Sequence, residues 1–272
     1  MIRLAILFIF IAGIGMSQDR RPSHCIAVAE NTPGITYVKK AAYEDSVPDG
    51  SVLIHYIAHA SFLIIADDGT SAITDYTGFI GNTDFVPDAV TMNHAHETHW
   101  TAFPDPAIPH VLRGWGENFG EEAWHYLDLG GMVIRNIPTD IRSRFFTETE
   151  PNGNSIFVFE TAGLCIGHLG HLHHEPTSEQ YAALGRVDVV MAAVDGGMTL
   201  DLPTMMRVIR RLRSSVVIPM HWFGDGTLDR FLFGMAEDFA VVRENESHIV
   251  LSLETLPARP SIILLRPSWL QE

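Results

Sequence analysis

The 272-residue chain is 46% hydrophobic and 19% charged, enough apolar material to bury a large core in a single domain. A formal net charge of −15 argues against nucleic acid or an anionic membrane as partner, because either demands a basic surface that neutralises phosphate. Polyanionic substrates are disfavoured for the same reason, unless a bound metal reverses the charge locally, so a small-molecule substrate is expected. Composition is silent on oligomeric state.

Arg3 is followed by the apolar run 4–14 and then by Gly15-Met16-Ser17-Gln18. The run is too short for a membrane-spanning helix, which needs about 20 apolar residues, but it suits the core of an export signal. Residues 1–18 are therefore read as a signal peptide. Residues 19–272 are read as one domain, periplasmic or secreted, with no stable membrane span after cleavage. A buried first strand or an uncleaved anchor is the alternative reading. No leucine-led lipobox precedes Cys25. Cys25 and Cys165 are the only cysteines, so there is no disulfide framework; their number allows one bridge, and nothing in their placement requires it.

Downstream, β-rich runs at 35–38, 52–58, 61–66 and 71–75 are separated by turn residues such as Asp67-Asp68-Gly69, a spacing that predicts antiparallel pairing. Further strands are predicted at 89–92, 132–137, 155–160 and 163–167. From Ser178 onward the rhythm changes. Helices at 178–184, 202–212 and 228–235 alternate with strands at 187–194 and 216–220, and short strands at 249–253 and 262–265 follow.

Histidines collect at the ends of these runs. Asn93-His94-Ala95-His96-Glu97-Thr98-His99 follows the apolar Ala89-Val90-Thr91-Met92, and imidazoles at i, i+2 and i+5 can converge on one ion. Gly167-His168-Leu169-Gly170-His171-Leu172-His173-His174 follows a second apolar run, and His221 follows Val216-Val217-Ile218-Pro219-Met220. Surface or core histidines have no reason to bunch after strands, where α/β proteins build sites. His-rich tracts can also be exposed and adventitious, which weighs more on the second cluster than on the first.

These residues resemble the metallo-β-lactamase superfamily over most of residues 50–225. His94, His96 and His99 are similar to its H-x-H-x-D-H motif, with Thr98 in place of the aspartate. Ile54-His55-Tyr56-Ile57-Ala58-His59-Ala60-Ser61-Phe62, Ile73-Thr74-Asp75 and Ile218-Pro219-Met220-His221 resemble the branch that includes ascorbate-phosphate lactonase. The resemblance implies an αβ/βα sandwich of two mixed sheets flanked by helices, with metals along one edge. It also implies a bridging aspartate where His168-Leu169-Gly170-His171 has His171, and a further histidine where Ile141 stands after Ile137-Pro138-Thr139-Asp140.

Two cations about 3.5 to 4 Å apart depend on anionic ligands, so losing both aspartates favours a single ion. Zinc is expected, with manganese as the alternative. His94, His96 and His171 are the expected ligands, and His99 and His221 are alternative ligands, proton carriers or a weak second site. Three neutral imidazoles and a water make a competent zinc centre. Asp75 is expected to orient a ligand imidazole, and Asp75 and His99 are the candidate catalytic groups. Glu97 is expected at the surface, and Asp195-Gly196-Gly197 reads more readily as a turn than as a proton-transfer site. Trp100, Trp222 and Phe223 either line or cover the cleft; His168, His173 and His174 receive no role. The leading expectation is an exported hydrolase that uses a metal-bound hydroxide on an ester, lactone, amide or phosphodiester. The rival is a non-catalytic member that binds ligand or metal.

Overall fold

The computed structural model describes residues 21–26, 47–93, 96–142 and 149–271. The strand expected at 35–38, the signal at 1–18 and His94 lie outside them. Among the described residues, the elements run β1 (Ser51–Ala58), β2 (Ser61–Ala66), β3 (Ser71–Ile73), β4 (Gly81–Asn82), β5 (Ala89–Met92), β6 (His110–Arg113), β7 (Tyr126–Asp128), β8 (Val133–Arg142), β9 (Thr149–Thr161), β10 (Leu164–His168), α1 (Ser178–Leu184), β11 (Val189–Ala193), α2 (Leu202–Leu212), β12 (Val216–Met220), α3 (Asp225–Met235), β13 (Ala240–Arg243), β14 (His248–Ser252), β15 (Ser261–Leu264) and β16 (Leu270–Gln271).

One sheet has the order β14-β1-β2-β3-β5-β6 and the other β13-β15-β12-β11-β10-β9-β8-β7, with β16 and β4 forming a separate short pair. Side chains on β1 and β2 alternate between two apolar clusters, as the period of a strand requires. Val52, Ile54, Phe62 and Ile64 face the second sheet. Leu53, Ile57, Leu63 and Ile65 pack with Val90, Met92 and Leu270 on the other side. Burial on both faces explains why β1 and β2 read as apolar runs with little polar alternation. The strands not anticipated, β4, β6, β7, β13 and β16, are at most four residues long and partly exposed, so they carry little hydrophobic pattern.

Two of the helices start at side-chain caps. Thr177 and Gln180 form a reciprocal capping box at α1. Asp201 accepts from the Thr204 amide at α2, whose buried Leu202, Met205, Val208 and Ile209 fall on one helical face. β9 begins earlier than the apolar pattern suggests, because its polar start pairs with the far end of β8.

Two features of this topology position the site. In the second sheet β10, β11 and β12 run parallel, so their carboxyl ends emerge together and deliver His171, Asp195 and His221. In the first sheet the parallel pair β3 and β5 delivers Asp75, Asn93, His96 and His99. Cys25 and Cys165 form a disulfide that joins the segment 21–26 to β10. Bonds from Ser23 and the His24 amide to Glu160 hold the same segment.

Candidate metal centre

Four histidines meet where the two sheets' strand ends face each other. His59 comes from the β1–β2 turn, His96 and His99 from the loop after β5, and His221 from the residue after β12. Each offers a ring nitrogen, and these atoms lie within 4.8 Å of one another. The two sheets are tied together here: the His221 amide donates to the His59 carbonyl at 3.0 Å, and the Tyr56 hydroxyl donates to the same carbonyl at 2.8 Å. His59, Asp75 and His221 all adopt positive φ, between 41° and 57°, a strained backbone for such residues and one that clusters at functional sites.

Two of the rings are braced by carboxylates. His99 Nδ1 lies 2.6 Å from Asp75 Oδ2, and Asn93 Nδ2 donates to Asp75 Oδ1 at 2.7 Å. Asn93 is oriented in turn by the Ser155 amide, which donates to its Oδ1 at 3.0 Å. His221 Nδ1 lies 3.0 Å from Asp195 Oδ2. Asp195 Oδ1 accepts from the amides of Gly197, Met198 and Thr199, and the Thr199 hydroxyl donates to Oδ2. An ionised carboxylate only accepts, so each Nδ1 carries a proton, and in the neutral ring Nε2 then keeps its lone pair.

Those lone pairs are the test of whether a metal fits. The Nε2 atoms of His59, His99 and His221 are buried and have no hydrogen-bond partner. Buried polar atoms in folded proteins are normally satisfied, so three orphaned imidazole nitrogens in one cluster form a donor set that fits a divalent cation. The electrostatics agree. Burial lowers the pKa of His59 to about 3, helped by the charges of His221 and His96. Burial first, then the neighbouring histidines, holds His99 well below its ordinary value. His96 is lowered chiefly by burial. All three are neutral at neutral pH, the state a ligand requires.

His171 stands beside this group, its Nε2 3.1 Å from His96 Nε2. Its Nδ1 is 2.8 Å from His173 Nε2, and the Arg142 amide donates to His173 Nδ1 at 2.7 Å. Burial lowers His171 strongly and takes His173 to about 4, where the Arg142 charge also lowers it and the Met198 backbone partly offsets. Gly170 makes the turn into His171 with φ +59°, and a side chain there would run into Asn93.

The structure thus brings Asp75, His96, His99, His171 and His221 together. His59 was not singled out, although it follows an apolar run in the same way as the histidines that were. Asn93 precedes the histidines of the first cluster, and its amide links Asp75 to β9. Asp195 begins a turn and also braces His221. Glu97 is exposed, and exposed Thr98 has its hydroxyl 2.7 Å from His96 Nδ1. Ile141 is buried in β8. His168 donates from Nε2 to the Ala60 carbonyl at 2.8 Å and accepts the Gly170 amide at Nδ1, a structural brace. Exposed Phe223 stands at the mouth, its ring 5.1 Å from His221 and 5.6 Å from His59. Trp222 packs on Tyr56 and Trp100 on Trp115. A cleft of about 360 Å³ opens beside Asp195, lined by Phe223, Gly224, Gly226, Thr227 and Arg230.

Residues 53–221 match the beta-lactamase superfamily domain, and the chain belongs to that family. A structure from Thermotoga maritima, a proposed Zn-dependent hydrolase of the metallo-β-lactamase superfamily, is 23% identical, with 79% of this chain and 98% of that one covered and a TM-score of 0.57. Igni18 from Ignicoccus hospitalis, a metallo hydrolase, is 19% identical, with 75% and 99% covered and a TM-score of 0.51. A proposed metal-dependent hydrolase from Parabacteroides distasonis is 16% identical, with 68% and 88% covered and a TM-score of 0.50. At these identities the likeness speaks for the fold, and the fold is the αβ/βα sandwich read from the sequence. A comparison with curated proteins finds no match.

Proposed function

We propose that the chain is a metal-dependent hydrolase of small-molecule esters, lactones or phosphodiesters, working with one divalent ion. The three orphaned, buried Nε2 atoms carry this reading. His59, His99 and His221 would hold the ion, with His96 alongside. A divalent ion bound there supplies an acidified water and charge stabilisation for an oxyanion. Asp75 and Asp195 hold two of the rings in the ligating tautomer, and burial keeps water from competing for them. One ion is favoured over two because Thr98 and His171 provide no carboxylate to offset repulsion between cations. Zinc suits three imidazoles, and manganese is the alternative. The cleft of about 360 Å³ beside Asp195 suits a small substrate, with Phe223 offering an apolar face.

Elemental analysis after dialysis is expected to find about one equivalent of zinc or a similar ion. Hydrolysis of simple lactones and bis-aryl phosphodiesters is assayed on the same material. A protein that retains no divalent ion and cleaves neither substrate with any added metal would replace this reading with the non-catalytic one.

We also propose that the protein acts outside the cytoplasm. The Cys25–Cys165 disulfide supports this, because such bonds persist in oxidising compartments. Mass spectrometry of protein recovered from an envelope fraction should find the mature terminus between about Met16 and Arg21. Intact Met1 on a cytoplasmic protein with reduced cysteines would sink the idea.

A further inference from the structure

We infer that His171 enters the centre as a hydrogen-bond donor and not as a metal ligand, its ring set in that sense by His173 and the backbone of β8. The inference deepens the hydrolase reading and rests on it for its chemical consequence.

A backbone amide can only donate. The Arg142 N–H points at His173 Nδ1 at 2.7 Å, so that nitrogen holds a lone pair. A neutral imidazole carries its one proton on the other nitrogen, so His173 has Nε2–H. That hydrogen is directed at His171 Nδ1, 2.8 Å away, which must therefore accept. His171 in turn carries its proton on Nε2, the atom that faces His96 Nε2 at 3.1 Å. The chain of three rings has one direction, imposed from β8.

For His171 to ligate through Nε2, its proton would have to move to Nδ1 and face His173. His173 would then have to shift its own proton to Nδ1, against the Arg142 amide, setting two donors head to head. The anchor is built in, since Arg142 also binds the carbonyls of Gly197, Met198 and Thr199, in the loop that cradles Asp195. His96 Nε2 is the acceptor at the end of the chain, and within the four-histidine cluster the buried Nε2 atoms without partners are those of His59, His99 and His221. Where the superfamily resemblance implies a carboxylate acceptor, this chain thus presents an N–H. A fixed donor beside a bound cation stabilises negative charge growing on a substrate oxygen, as when an ester, lactone or phosphodiester is attacked. His171 would be the catalytic donor and His173 the positioning residue behind it.

Long-range proton–nitrogen correlation spectra of the metal-free, histidine-labelled protein read the tautomers directly. Both His171 and His173 are expected in the Nε2–H form, with assignments from the signals lost in His171→Gln and His173→Phe. In His173→Phe, His171 is expected to leave the pure Nε2–H form, a change that a merely structural role for His173 would not produce. Competitive zinc titration adds a second readout: His171→Gln should hold zinc within about threefold of the parent, whereas His99→Ala should weaken it by roughly a hundredfold or more. An Nδ1–H tautomer for His171 in the parent, or zinc affinity in His171→Gln as poor as in His99→Ala, would overturn the inference. Neither measurement uses turnover. A protein inert toward every ester tried would retire the hydrolase reading and leave the donor assignment standing or falling by its own data.

Discussion

The two braced histidines perform the same task in different electrostatic settings. His99 leans on Asp75, a fully enclosed carboxylate at the end of β3 whose other side-chain partner is the Asn93 amide. His221 leans on Asp195, around which the following loop folds to offer three backbone amides and a hydroxyl. Burial raises Asp75 to about 6, an effect that nearby His168 and the Asn93 bond only partly offset. Burial pushes Asp195 upward too, but the bonds from His221, Thr199 and Gly197 outweigh it and hold the carboxyl well below its usual value. Enclosure alone therefore does not set a carboxylate's charge. The hydrogen-bond donors converging on it decide whether burial wins.

The largest effects come from the rings themselves. Either His99→Ala or His221→Ala removes a free, buried Nε2, and zinc affinity is expected to fall by roughly a hundredfold or more in both, measured by chelator competition. Equal losses would show that the two differently supported rings bind the ion alike. A small loss in one alone would break the symmetry.

Next come the braces. Asp75→Asn and Asp195→Asn each place an NH₂ group against the histidine Nδ1, which drives the ring proton to Nε2 and removes the ligating lone pair. Each should lower zinc affinity by about 10- to 100-fold. In metal-free protein the pair should diverge in thermal stability. Asp75 has a folded-state pKa of about 6 against an ordinary 3.8, so the stability linked to it is present below the ordinary value and lost as pH rises through about 6. Asp195 is shifted downward, so its contribution is present above the ordinary value and lost as pH falls through the lowered one. At pH 8 the expectation is a higher melting temperature for Asp75→Asn and a lower one for Asp195→Asn, separated by several degrees, since about 1 kcal/mol moves a chain of this size by roughly 2–4 °C. Shifts of the same sign would mean that the two settings do not differ as described.

The smallest effects test the supports. Asn93→Ala strands the Ser155 amide and strips Asp75 of a donor, and should destabilise the fold by about 2–3 kcal/mol in denaturant titration. Thr199→Val removes one hydroxyl from Asp195 and leaves three amides on its other oxygen, so a cost of about 1 kcal/mol is expected. A reversed order would show Asp195 to be the more dependent of the two.

Much of this architecture was legible along the chain. The runs that became β1, β2, β5, β10 and β12 are apolar because both their faces are covered, and the helical runs at 178–184 and 202–212 became α1 and α2. Histidines after such runs pointed to a metal site, and Asp75 at a strand end pointed to a brace. His59 stands alone between Ala58 and Ala60 along the chain, and only folding brings it beside His96, His99 and His221. Asp195 looked like a turn residue because local pattern reports the turn it begins and not the imidazole on its far side.

The sequence by itself determined the longer elements and the chemistry available at the strand ends, because these follow from local periodicity and residue type, and its family resemblance implied the two-sheet fold. Tertiary structure alone decided which histidines meet, that Cys25 reaches Cys165, and which nitrogen of each ring carries the proton. Those outcomes depend on partners far away in the chain: the Arg142 amide on β8 faces His173, and the Ser155 amide on β9 orients Asn93. A tautomer is set by whatever donor or acceptor packing places opposite the ring, and no pattern of neighbouring residues specifies that.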